Sequence, residues 1–228
     1  MQKQKGFTLI EIAIVLVIIG LLLGGVLKGQ ELITSARVRN IITQQDGIKA
    51  AFFGFQDRYR ALPGDYAQAT TNITNALGNG NGNGIIEAPA AGTNETIAAW
   101  DHLSHAGFIT GSFVYNATQS EATTPKNPYN AYLQIIHDGV YASATASTGN
   151  TTRLNLKTGN QIPVEIMVEI DRKIDDANAE RGVFRFSQYL GAGAAPTAAN
   201  CYTASGGTAA GEWKTTGGET NCGGASLF

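Results

Sequence analysis

The sequence is poor in cysteine, proline, tryptophan and charge. Two cysteines in 228 residues permit one disulfide and exclude a cysteine-rich scaffold or a four-cysteine zinc site. Charged residues make up 15% of the chain, against about 25% in an ordinary soluble domain. Lys and Arg number 16 against 18 Asp and Glu, for a net charge of −2. No cationic surplus exists to neutralise phosphates, which argues against general nucleic-acid binding. In place of charge stand 28 glycines and much Ala, Thr and Asn, a composition suited to a secreted or surface protein. The length fits one domain, or one domain with an appendage.

The apolar residues are concentrated at one end. From Phe7 to Leu27 the chain reads FTLIEIAIVLVIIGLLLGGVL, and Glu11 is the only charge in those 21 residues. As a helix this run spans about 31 Å, enough to cross a bilayer core of ~30 Å. Lys3 and Lys5 precede it, so the predicted orientation is N-in, C-out. An ordinary secretory signal has a shorter apolar stretch and a small-residue cleavage site after it, and this run has neither. A carboxylate inside such a segment is costly unless paired, which makes Glu11 a functional candidate by default.

Around that carboxylate the sequence is Lys5-Gly6-Phe7-Thr8-Leu9-Ile10-Glu11. This motif resembles the processing site of type IV pilins and pseudopilins. The resemblance implies cleavage between Gly6 and Phe7 by a prepilin peptidase, N-methylation of Phe7, and a subunit-assembly role for Glu11. In the family that glutamate pairs with the N-terminal amine of a neighbouring subunit. A new ammonium and a carboxylate in a dry environment relieve each other's desolvation. An intramolecular attraction is the competing explanation, because Glu11 sits where orphan N–H groups and the helix dipole favour a carboxylate. Many pilins carry a proline where this chain has Lys28. Gly20, Gly24, Gly25 and Gly29 can loosen the helix there instead.

The helical pattern continues past the membrane. Ile33, Val38, Ile41, Ile42, Ile48, Phe52 and Phe55 recur at helical spacings, and Leu62-Pro63-Gly64-Asp65 ends the run near Arg60. The predicted rod is about 75–80 Å long at ~1.5 Å per residue. Four segments follow: a cleaved leader (1–6), a membrane or filament-core helix (7–27), a head-supporting continuation (28–60), and a globular α+β head (61–228). The implied fold is pilin-like, a long helix packed on an antiparallel sheet. Strands are predicted at 132–136, 153–156 and 183–186. Helices are predicted from about Asn94 to Gly107 and from Pro163 to Ala177.

Three groups invite a chemical reading. Asn79, Asn81, Asn83 and Glu87 match positions one, three, five and nine of a calcium loop, but position twelve is Ala90. Calcium is thus the one cofactor suggested, against a flexible Asn/Gly loop. His102, His105 and Asp101 superficially suit a metal but are read as a surface pair on a helix packing through Trp100. Asp171, Asp175 and Asp176 are read as solvated, with Glu169 and Lys173 forming a four-residue pair. Cys201 and Cys222 bracket a Gly-, Ala- and Thr-rich tail that could hardly pack itself. The family commonly has a disulfide-bounded C-terminal region, which implies this pairing; the residues alone leave free thiols or a two-ligand metal site open.

The expected role is structural rather than enzymatic: a subunit of a type IV pilus-like filament. It would wait in the bacterial inner membrane and then enter an extracellular or periplasmic filament. The implied partners are identical or related pilins, the prepilin peptidase and methyltransferase, and an inner-membrane assembly platform. A minor pilin, adhesin or type II secretion pseudopilin shares the fold. A membrane-anchored extracytoplasmic enzyme or ligand-binding protein is the rival from another class, and it requires a convergent site.

Overall fold

A proline-free run rich in Leu, Ile, Val and Ala forms α1, Leu9–Tyr59. The computed structural model describes residues 8–88, 92–144, 150–204 and 211–228. The chain divides into two compact units, 1–37 and 38–228. In the first, every described residue from Thr8 to Lys28 is exposed.

The second unit begins with the α1 residues from Val38 onward. Val38, Ile41, Gln45, Ile48, Phe52 and Phe55 are buried, each three or four residues from the next, so they form one stripe. Ile33, expected in the same stripe, is 56% exposed. After α1 come α2 (Ala69–Asn72), α3 (Glu95–His105), β1 (Gln134–Asp138) and β2 (Arg153–Lys157). Then follow α4 (Val164–Ile174), β3 (Phe184–Phe186), α5 (Ala198–Cys201) and β4 (Gly224–Leu227). The strands make one antiparallel sheet in the order β1-β2-β4-β3. The architecture is α+β and pilin-like, with a long apolar N-terminal helix, an antiparallel sheet and a C-terminal disulfide.

Two apolar clusters share the α1 stripe. Val38 and Ile41 join Ile166, Met167, Ile170, Phe184, Phe186, Trp213 and the two cysteines. Ile48, Phe52 and Phe55 join Trp100, Leu103, Ile86, Leu133, Ile135 and Leu156. Burying a large apolar side chain is worth roughly 1.5–3 kcal/mol, so these clusters dominate the stability of the unit.

Two expectations about the tail and α4 need correction. The tail does pack: β4 is buried throughout and pairs with β2 on one side and β3 on the other. Small residues are required there, since a Cβ on Gly224 would lie 2.8 Å from Met167 Cε. On α4, Glu169 pairs with Arg172 at 3.0 Å, one residue short of the expected Lys173; i+3 and i+4 lie on the same helix face. The first predicted strand also lies two residues further along, at Gln134–Asp138.

The tail is fastened by one amide and one covalent bond. Buried Asn160 accepts the N–H groups of Gly191 and Ala192 at 3.0 and 2.8 Å and donates to the Ala192 and Ala194 carbonyls, both at 2.7 Å. Cys201 and Cys222 form a disulfide with a sequence separation of 21. Chain-entropy reasoning gives such a crosslink about 3 kcal/mol. The Cys201→Ser/Cys222→Ser variant should therefore melt several degrees below the parent in non-reducing buffer. Equal melting temperatures would show that the crosslink adds nothing to the packing of β4.

Candidate functional site

Among the residues expected to mediate processing and assembly, Gly6 and Phe7 lie outside the described residues, and Glu11 lies in the first turn of α1. Its carboxylate accepts the Thr8 backbone N–H at 2.7 Å and the Thr8 hydroxyl at 2.8 Å, both on Oε2. In return the Glu11 N–H points to Thr8 Oγ1 at 3.3 Å. This is a capping box, the reciprocal Thr-x-x-Glu arrangement that satisfies orphan N–H groups at a helix start. The Thr8–Glu11 spacing of this box is legible in the sequence. Oε1 has no hydrogen-bond partner among the described residues.

The Asn/Gly loop is held rigidly from outside rather than left flexible. Asp65 accepts three backbone N–H groups, from Gly82 (2.7 Å), Asn83 (3.0 Å) and Gly84 (2.8 Å). Glu95 accepts those of Asn81 (2.9 Å) and Glu87 (3.1 Å). Gly80 fits so closely under Asp65 that any Cβ would collide with its backbone. Of the proposed calcium ligands, the structure brings Asn81, Asn83 and Glu87 together: both amides donate to Glu87 Oε1, at 3.1 and 3.0 Å. Asn79 turns away and bonds Thr70. Burial raises the Glu95 pKa despite its N–H donors.

Two histidines close this region. His102 is fully buried, contrary to the expected surface pair. Its Nδ1 accepts the Gly64 N–H at 2.8 Å, and its Nε2 lies 2.6 Å from the Gly78 carbonyl, which fixes the Nε2–H tautomer. Stacking on Phe55 explains the burial. His105 instead contacts the Asp101 carboxylate at 2.9 Å. His137 accepts the Ile86 N–H at 2.9 Å and donates its own N–H to the Ile86 carbonyl at 2.8 Å. Burial lowers the pKa of His102 and of His137.

At the end of α4 the acidic residues are not all solvated. Asp171 is fully buried and accepts the Trp213 Nε1–H at 2.7 Å on Oδ2, while Oδ1 is buried without a hydrogen-bond partner. Asp171, Asp175 and Asp176 each place one ligand oxygen within 4.8 Å of the others, a grouping chemically able to hold a cation. Asp175 is committed in part to the N–H groups of Val183 and Phe184. Trp213 gave no sequence signal, since the contact spans 42 residues.

Residues 1–27 match the family model described as the prokaryotic N-terminal methylation motif, the type IV pilin and pseudopilin signature. No curated protein matches the chain.

The head's pH response follows from these burials. Burial pushes Asp171 up to about 7, helped by Asp175 and Asp176 and opposed by the Trp213 N–H. In the unfolded chain an Asp titrates near 4, so the native state binds the extra proton between about pH 4 and 7. Its contribution is therefore fully present below ~4 and is lost as the pH rises through about 7. The histidines act oppositely: with lowered native values, their contribution is present above ~6.5 and is lost as the pH falls below it. Asp171→Asn keeps an acceptor for Trp213 and removes the titration. In buffer with a chelator it should stabilise the protein at pH 8 by on the order of 2–4 kcal/mol and leave stability at pH 4 unchanged. Denaturant melts at the two pH values measure this; an equal effect at both would reject a neutral Asp171.

Proposed function

We propose that this chain is a structural subunit of a type IV pilus-like filament. One observation carries the reading: the methylation motif at residues 1–27 coincides with a helix apolar enough to cross a membrane. An 18-residue window of α1 has mean hydropathy 2.8 and is 0% buried. A core helix of a soluble protein would bury that surface. Here apolar side chains such as Leu9, Leu16 and Leu22 are exposed by 93%, 63% and 64% and require a bilayer or other helices to cover them.

In this reading Lys3 and Lys5 hold the leader in the cytoplasm. The bond after Gly6 is cut and Phe7 is methylated. The subunit stays anchored in the inner membrane by residues 7–27 until it is drawn into the filament. A heterologous contact repeated from subunit to subunit builds an open fibre. Glu11 then has two duties. Oε2 caps its own helix through Thr8, and the carboxylate's charge attracts the ammonium at the N-terminus of a neighbour. Copy number in purified filaments separates a major subunit from a minor one.

Two measurements test this. Mass spectrometry of the mature protein should find an N-terminus at mono-methylated Phe7; a start some 20–30 residues later, at a signal-peptidase site, would defeat the filament reading. Glu11→Gln retains an acceptor for the capping box but not the charge, whereas Glu11→Ala loses both. Both variants should lose most filament yield while the head melts normally. Parental yield from Glu11→Gln would reduce the residue to a helix cap.

A further inference from the structure

The end of α4 gathers negative charge where a helix tolerates it least. The last carbonyls of a helix carry the negative end of its dipole, which favours cations there. Asp171 lies in the last turn of α4, and Asp175 and Asp176 follow the helix directly. Each of the three offers one oxygen within 4.8 Å of the others. Among the described residues, no Lys or Arg forms an ion pair with any of them. Arg172, next to Asp171 in the chain, pairs with Glu169 instead.

Acidic groups are common on protein surfaces, but this one has a buried member. Asp171 is fully buried. The Trp213 Nε1–H takes Oδ2 at 2.7 Å and leaves Oδ1 buried with no hydrogen-bond partner. The Ala177 N–H acts on the carboxylate without closing a hydrogen bond to Oδ1, which sets Asp171 against the 175–177 turn. A buried carboxylate oxygen with neither donor nor cation is costly. Asp175 spends Oδ2 on the N–H groups of Val183 and Phe184. Asp176 spends Oδ1 on the Asn178 N–H at 3.0 Å. Each carboxylate thus keeps one oxygen unclaimed among the described residues, and exposed Asp176 opens the group to solvent.

We infer that Asp171, Asp175 and Asp176 bind a calcium ion. Carboxylate oxygens are hard ligands, and the group contains neither Cys nor His. A divalent cation supplies the positive charge that three carboxylates and a helix end together lack. Calcium accepts six to eight oxygens in irregular geometry, with water beside Asp176 completing the set, whereas magnesium demands a near-ideal octahedron. The Asn/Gly loop is the poorer site. Its Asn81 and Asn83 side-chain oxygens accept the Asn83 and Ile85 N–H groups at 2.9 and 3.0 Å, and their amide nitrogens face Glu87.

The test uses the full chain in detergent at pH 8, stripped with a chelator that is then removed, and titrated calorimetrically with calcium and with magnesium. Calcium should bind with a dissociation constant of roughly 0.1–1 mM, the range of extracellular calcium modules, and magnesium at least tenfold more weakly. Calcium should also raise the melting temperature, since the site exists only in the folded chain. Asp176→Asn keeps an acceptor for Asn178 and should weaken calcium binding tenfold or more. Asp171→Asn should do the same, and in chelator neither variant should melt below the parent. Glu165→Gln, exposed in the first turn of α4, should bind as the parent does. No calcium binding, equal binding of magnesium, or parental affinity in either Asp variant would each overturn the assignment. Binding lost in Glu87→Gln and kept in Asp176→Asn would overturn it in favour of the Asn/Gly loop. None of these outcomes bears on the filament reading, which rests on α1.

Discussion

A glycine-rich backbone has N–H and C=O groups to satisfy and few side chains of its own with which to do it. Most of the head depends on how that problem is solved. Asp65 and Glu95 together accept five backbone N–H groups from the 81–87 segment. Asp101 accepts those of Leu77, Gly78 and Tyr115, and Asn160 accepts those of Gly191 and Ala192 while donating to the Ala192 and Ala194 carbonyls. Each of these four side chains is buried. A buried carboxylate without partners would be costly, and a buried loop backbone without partners equally so. Each removes the other's cost, so low-complexity loops become fixed parts of the fold.

That arrangement explains how so little apolar sequence suffices. The α1 stripe from Val38 to Phe55 supplies one wall for both clusters, and the sheet and the short helices supply the others. β4 ties the two together, because it bridges β2, whose Leu156 lies in one cluster, and β3, whose Phe184 and Phe186 lie in the other. A strand of Gly, Ala, Ser and a single Leu has little intrinsic preference for the extended state. Its place is fixed by ladders on both edges and by the small volume left beneath Met167 and Phe184.

What was legible in the sequence was whatever depends on local periodicity. The α1 stripe, the α4 face of Ile166 and Ile170, and the stop after α3 follow from spacing and turn chemistry. The Thr8–Glu11 box was equally local and readable. The rest is long-range. Asp171 meets Trp213 across 42 residues, and Ile86 meets His137 across 51. A histidine three residues from another on a helix reads as a surface pair until Phe55 is placed beneath it. β4 lacks alternation because both its faces are buried, so no polar positions mark it.

The capping box bears on why a carboxylate is tolerable at the start of an apolar helix. An isolated charge there would lose hydration with nothing in return. Glu11 is instead bonded through Oε2 to a backbone N–H and a hydroxyl, at the helix end where the dipole favours negative charge. Those interactions pre-pay part of the desolvation and also fix the side chain, so little rotamer entropy remains to be lost when an ammonium approaches. In the proposed assembly, Oε1 would be the oxygen left for a neighbour's ammonium. Capping and the proposed pairing would therefore not compete for the same atom: the first would orient the carboxylate for the second.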